Sequence, residues 1–401
     1  MNKKLLAVAV AGALAAPGMA FAQASTVTIS GNFKLGVESL NYSNASATRL
    51  NSSQMRVVDN SSRIIFTSVE ALGNGLSAVG NLDVRFAPDQ ASAAPTSNPI
   101  GNGNTYVGLR STTWGQLTVG RWDLHYGKAP SDLTNNAGAL GAATTSLFDF
   151  MQVGAANSPI ANTSRTQNVV RYDLPNFSGF TGTVAWSANP IGNSDADMSA
   201  TNAAGVATRK GDGWNINPKY SNGPFAIEYS YWRAKGDAPA LTGLDQRSDV
   251  IAGSYQFGAF KLGLGWNRSR MDTASNILVA NAVSTGAVGS GTKAAERTAW
   301  ALAGNYAWGP NTILAHYVRA GNISSNTGLT TASTGARMWA LAYQYALSKR
   351  TALAATYAKI DNDSAASYNF FTSAALGSND AGLVGLGESP RLFQLTINHQ
   401  Y

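Results

Sequence analysis

Apolar and polar side chains alternate with a period of two along most of the chain. Phe393, Leu395, Ile397 and Tyr401 share one parity, interrupted by His399, while Gln394, Thr396, Asn398 and Gln400 take the other. Phe260, Leu262, Leu264 and Trp266 stand against Lys261, Gly263, Gly265 and Asn267 in the same way. The pattern returns at Phe225, Ile227, Tyr229 and Tyr231, and at Trp339, Leu341, Tyr343 and Tyr345. A strand sends successive side chains to opposite faces, so each segment predicts a strand with one greasy and one wet face.

Short turn signals join these segments in pairs. They fall at residues 73–75, 113–115, 177–179, 222–224, 257–259, 309–311 and 347–349, where Gly, Asn, Ser and Pro supply turn chemistry. Longer polar stretches separate the pairs, at residues 39–54, 87–103, 123–164, 188–212, 235–247, 271–294, 322–334 and 361–390. The count comes to about sixteen antiparallel strands, with short turns at one end and long loops at the other, as in bacterial transmembrane barrels. A sheet crossing lipid must close, because an open edge leaves backbone groups unpaired. The first strand, near residues 27–37, is therefore expected to pair with the last, near 392–401. A soluble β-sandwich also alternates, but it does not need the turn and loop asymmetry. Nor does it need aromatics at strand ends, as at Trp122, Trp186, Trp232, Trp308 and Tyr401; these suit interfacial girdles. The expected fold class is all-β, a sixteen-stranded antiparallel transmembrane β-barrel.

Composition agrees. Charged residues make up 13% of the 401 positions, against roughly 25% in soluble domains. Mean hydropathy is −0.10, which fits neither a helical membrane protein nor a charge-rich disordered chain. Lys3 and Lys4, the short apolar run at residues 5–16 and Ala20-Phe21-Ala22 read as a cleaved signal peptide over residues 1–22. A run that short does not span a bilayer. The barrel domain is then 23–401, with 27 bases, 22 acids and a formal charge of +5 in place of +7. No charge block points to nucleic acid. The chain has no cysteine, which removes disulfides and thiolate chemistry.

Specific stretches resemble the general trimeric porins of Gram-negative bacteria, in particular the β-proteobacterial type. They include Val27-Thr28-Ile29-Ser30-Gly31, Ser61-Ser62-Arg63-Ile64-Ile65-Phe66 with Glu70-Ala71-Leu72-Gly73-Asn74-Gly75-Leu76, and Tyr106-Val107-Gly108-Leu109. Leu117-Thr118-Val119-Gly120-Arg121, Val170-Arg171-Tyr172-Asp173 with Phe177-Ser178-Gly179-Phe180, Tyr255-Gln256-Phe257-Gly258 and Leu347-Ser348-Lys349-Arg350-Thr351 follow in order. The resemblance implies an outer-membrane homotrimer passing ions and small hydrophilic solutes by diffusion. Its partners would be outer-membrane lipid and lipopolysaccharide, and it would use no cofactor or metal. It also implies a third loop, here residues 123–164, folded into the lumen, with the apolar segment at residues 147–151 as its anchor.

Anion-preferring members of that family carry a small arginine cluster opposite the third loop. Arg63 and Arg165 match two of its positions, while the third falls at Asn104. Arg110 or Arg121 would compensate for that departure, and parity sends Arg171 inward as well. Asp83 and the loop acids Asp123, Asp132 and Asp149 would face the arginines and set a transverse field. A weak anion preference follows as the expectation.

Two other readings compete. A substrate-specific channel would line its path with aromatics, and only Tyr106 and Trp122 are candidates. An outer-membrane enzyme would need a catalytic constellation. His125, His316 and His399 are the chain's histidines, and no GxSxG, HExxH, GxGxxG or P-loop accompanies them. No catalytic residue is assigned.

Overall fold

The structure, a computed structural model, describes residues 25–44, 52–86, 88–89, 100–125, 148, 165–188, 190, 211–236, 246–271, 278–279, 282–283, 295–324, 332–366, 368, 370 and 384–401. The expected signal segment, residues 1–22, lies outside them.

The strands are β1 (Ser25–Ser43), β2 (Ser53–Asp59), β3 (Arg63–Gly73), β4 (Leu76–Arg85), β5 (Thr105–Ser111), β6 (Gly115–Asp123), β7 (Arg165–Phe177), β8 (Phe180–Ser187) and β9 (Gly211–Asn222). They continue with β10 (Phe225–Gly236), β11 (Gln246–Phe257), β12 (Phe260–Met271), β13 (Leu278–Val279), β14 (Ala282–Val283), β15 (Ala295–Trp308), β16 (Asn311–Ala320), β17 (Ala336–Ala346), β18 (Thr351–Asn362) and β19 (Ser389–Gln400). Strands β13 and β14 pair only with each other, inside the sixth long connection. The other 17 form one antiparallel sheet. Strands β2 and β3 are two pieces of one crossing, since both run along the same edge of β1, so the sheet has sixteen crossings.

Closure comes from β1 and β19, which pair from Asn32↔Gln400 to Ser43↔Ser389. All seven expected short turns sit at hairpin tips. At the first, Gly73, Asn74 and Gly75 have φ of 92°, 50° and 76°, a left-handed run that glycine and asparagine adopt at least cost. The first strand is longer than its pattern predicted, because the polar residues 39–43 continue the ladder with β19.

Alternation sets the two faces. In β17 the burial pattern runs buried, exposed, buried, exposed from Ala336 to Leu341. Trp339, Leu341, Tyr343 and Tyr345 lie on the exposed, outer face, with Leu264, Trp266, Trp300 and Leu395. The inner face carries small and polar residues, among them Ser230, Ser248, Ala252, Asn267, Ala301 and Gln394. Of the expected girdle tryptophans, Trp186 and Trp308 are exposed, whereas Trp122 and Trp232 are buried. Trp232 keeps the inward parity of Ser230 and Ala234, and parity outweighs its position near a strand end.

Two irregularities re-aim side chains. Between β2 and β3 the register against β1 slips from Leu35↔Asp59 to Asn32↔Arg63. The Asp59 carboxylate accepts the backbone N–H groups of Ser61 and Ser62 and holds this bulge. Val57 points outward at 56% exposure, and Arg63 would have followed its parity. The inserted residue turns Arg63 inward. In β7, Asn168 has φ of 54° and sits where the pairing steps from Gly120↔Val169 to Trp122↔Thr166. Residues 165–173 therefore do not keep a single parity.

Candidate functional site: the inner wall

The inward bulge sets Arg63 opposite Arg85 in the β3–β4 ladder. Asp83 lies between them. Arg85 donates to its Oδ2 from Nη2 at 3.2 Å and from Nε at 3.3 Å, and Arg63 Nη1 stands 3.9 Å away. Asp123, at the start of the third loop, comes within 4.0 Å of Arg85. Asn104 joins these groups. Its N–H donates to Asp83 Oδ2, its side-chain oxygen accepts the Asp123 N–H at 2.7 Å, and its carbonyl accepts Asn81 Nδ2 at 2.6 Å. Asn104 thus braces the point where the third loop leaves the wall.

This group is electrically asymmetric. The Asp83 side chain is 3% exposed and that of Arg63 is 32% exposed. At the Arg63–Asp83 pair a solute passing along this wall meets guanidinium before carboxylate, while the Asp123 carboxylate beside it is 23% exposed. Arginine keeps its charge at any working pH.

Beside this group lies an aromatic stack. Tyr106 faces Gly120 across the β5–β6 ladder and stacks on Trp122 at 3.9 Å. Gly120, at φ of 147°, has no side chain to hold the ring off. Trp122 donates to Thr118 Oγ1 at 3.1 Å. The Arg171 guanidinium lies 4.0 Å over the indole and forks onto Asp173 at 2.7–3.0 Å. Arg171 is thus a wall charge already matched by an acid.

The remaining sequence candidates are placed elsewhere. Arg110 shares the inward parity of Tyr106, but it is one residue from the end of β5 and exposed. Arg121 takes the parity of Leu117 and Val119, which are 44% and 47% exposed on the outer face. The Arg165 backbone pairs with Asp123, and its side chain lies outside the described residues, as do Asp132 and Asp149. Of the ten candidates, the structure brings together Arg63, Asp83, Asn104 and Asp123, with Arg171 nearby.

Sequence reasoning missed Arg85 as a site residue, although its inward parity was visible. It named residues 147–151, which include Phe148, as the anchor of the third loop, but it missed the contact made by His125. His125 is buried, with Nδ1 2.7 Å from Ser230 Oγ and Nε2 2.9 Å from Ser248 Oγ. Those serines are inward residues of β10 and β11. Phe148 is fully buried in an apolar cluster with Val250, Ala252, Ala299, Ala301, Met338 and Ala340, and its carbonyl accepts Arg297 Nη2 at 3.0 Å. No sequence signal named the partners of these residues, which lie 105 to 149 residues away.

A closed antiparallel sheet, apolar outside and charged within, with short turns at one end and long connections at the other, defines a transmembrane β-barrel. The comparisons with known proteins carry this further. Residues 7–365 match the family described as Gram-negative porin, and the chain belongs to that family, whose place is the outer membrane. It is 30% identical over 220 residues to an outer membrane porin of Bordetella pertussis, covering 53% of each protein. To the major outer membrane protein P.IB of Neisseria lactamica it is 28% identical over 233 residues, covering 57% of this chain and 58% of the relative. The match thus spans just over half the length of these relatives. Among solved structures, an anion-selective porin from Comamonas acidovorans superposes with a TM-score of 0.66 at 21% identity, over 94% of this chain and all of that one. That likeness is one of fold.

Proposed function

We propose that this chain forms a passive, water-filled pore of the outer membrane for ions and small hydrophilic solutes, with weak anion preference, and that it performs no catalysis. The observation that carries the reading is the inner-wall group in which partly exposed Arg63 stands 3.9 Å from buried Asp83. Small inward residues on the far strands support an open path. So do the inner-wall contacts of His125 and Phe148, which fit a third loop folded inward to narrow the lumen. In this reading three copies assemble as a homotrimer, and Arg63, Arg165, Asp83, Asn104 and the third-loop acids Asp123, Asp132 and Asp149 line the narrowest part. Arg171 lines the wall beside it.

The test is planar-bilayer recording of the purified protein. Stepwise conductance is expected, with a reversal potential in a salt gradient that favours anions modestly. Electrical silence would reject the channel, and clear cation selectivity would reject the role given to the arginines.

A further inference from the structure

One outer-face side chain reaches the charged group of the inner wall from behind. Tyr401 follows the outward parity of the exposed Phe393, Leu395 and Ile397. Its N–H donates to the Gly31 carbonyl at 3.3 Å across the seam. Its side chain then passes over β1, and the hydroxyl donates to the Arg63 carbonyl at 3.1 Å. Strands β19 and β3 pair with opposite edges of β1, so this bond staples two strands that are not neighbours. Gly31 makes the crossing possible. A Cβ there would stand 2.6 Å from the Tyr401 hydroxyl and would also collide with the Arg63 carbonyl, and only glycine lacks one. The Tyr401 ring rests 5.8 Å from that of Phe33, which meets Phe86 edge-on at 5.5 Å. An aromatic clamp on the outer face thus backs Arg63, Asp83 and Arg85 on the inner one.

Arg63 needs such a hold more than its neighbours do. It is the first residue after the bulge, so the ladder that fixes it on one side is interrupted on the other. It stands opposite Arg85, and like charges directly opposite repel. Arg85 is tied to Asp83 and to Ser61 Oγ at 3.1–3.3 Å, whereas Arg63 Nη1 stands 3.9 Å from the same carboxylate. The direction of the Arg63 side chain therefore leans on its backbone. A strand residue held from the outer face keeps its side chain on the inner one.

We propose that Tyr401 is a positioning residue for the pore. Its hydroxyl fixes the Arg63 main chain, and through it the direction of the guanidinium that anions meet. The inference rests on the reading of Arg63 as a residue facing the permeating ions, and it adds that selectivity depends on an outer-face hydroxyl that no ion touches.

The experiment is planar-bilayer recording of the reversal potential in a fixed potassium chloride gradient, on wild type, Y401F, R63A and Y401F/R63A. Y401F keeps the ring and loses only the hydroxyl. Its reversal potential is expected to move toward zero, by less than in R63A. The double variant should match R63A alone, because a residue that acts through Arg63 then has nothing to act on. Y343F removes another outer-face hydroxyl, the one that donates to Asn311, and should keep the wild-type potential. G31A, whose Cβ displaces the hydroxyl and leaves Tyr401 whole, should shift the potential in the same sense as Y401F, and it tests the contact should Y401F not insert. A wild-type potential in Y401F or in G31A would overturn the proposal. So would a double variant that shifts beyond R63A, or a Y343F shift equal to that of Y401F, since either marks a general loosening of the barrel. R63A at the wild-type potential would instead reject Arg63 as a pore residue, and Tyr401 would lose its role with it.

Discussion

Two stretches of the inner wall are built from opposite materials. From β3 to β7 the inward positions carry Arg63, Asp83, Arg85, Arg171 and Asp173, held by ion pairs of 2.7–3.9 Å. From β11 to β18 they carry Ala252, Ala299, Ala301, Ala340, Ala342 and Ala358, all 4% exposed or less. The same parity thus serves two tasks. Charges stand where solvent reaches the wall, and methyl groups stand where Phe148, Tyr368 and Phe370 pack. Alanine leaves room for a ring without filling the lumen itself. In the reading proposed above one arc faces the solutes, and the other packs against the chain's own loops.

The largest way to break this contrast is Phe148→Ala. Removal of a buried phenyl group costs about 3–5 kcal/mol, so the loop is expected to leave the alanine arc and single-channel conductance to rise. Conductance unchanged from wild type would mean that the arc anchors nothing. His125→Ala comes next. It leaves the Ser230 and Ser248 hydroxyls without their imidazole, at a cost of about 1–3 kcal/mol, and should lower the thermal midpoint read by circular dichroism. A midpoint equal to wild type would show that the loop root is held without this residue. The smallest effect is that of Arg63→Ala in the charged arc. A partly exposed pair contributes about 0–1 kcal/mol, so the barrel should persist while the reversal potential moves toward zero. If the potential stays where it was, Arg63 does not face the permeating ions.

The sequence was most legible where both faces obey one period. Strand β17 and strand β19 could be read residue by residue, because grease on one parity and polarity on the other leave no second register. The site was harder to read. Parity gave the face of Arg110 but not its depth, which follows from counting back from the turn after Ser111. For Arg121 the parity of Leu117 and Val119 pointed outward, and that signal outranks a wish for a third arginine. Arg63 could be read inward only from its own hairpin, because a bulge at residues 60–62 breaks the parity of the strand piece before it, and residues 165–173 depend on a bulge at Asn168. No alternation announces an extra residue, although Asp59 followed by Ser61 and Ser62 is the local chemistry that supports one. The apolar run at residues 147–151 marked Phe148 as an anchor, but the partners of Phe148 and His125 are so distant in sequence that no local pattern names them.

The seam between β1 and β19 has a consequence for how the molecule comes to exist. Asn32 meets Gln400, so the first-made and last-made parts of the sheet must find each other, and contacts so far apart in sequence form slowly. Until they meet, the nascent sheet has two raw borders with matching hydrogen-bond patterns. Nothing in that pattern tells one molecule's border from its neighbour's. The zip that makes the finished cylinder borderless is therefore, during transit, its chief route to clumping.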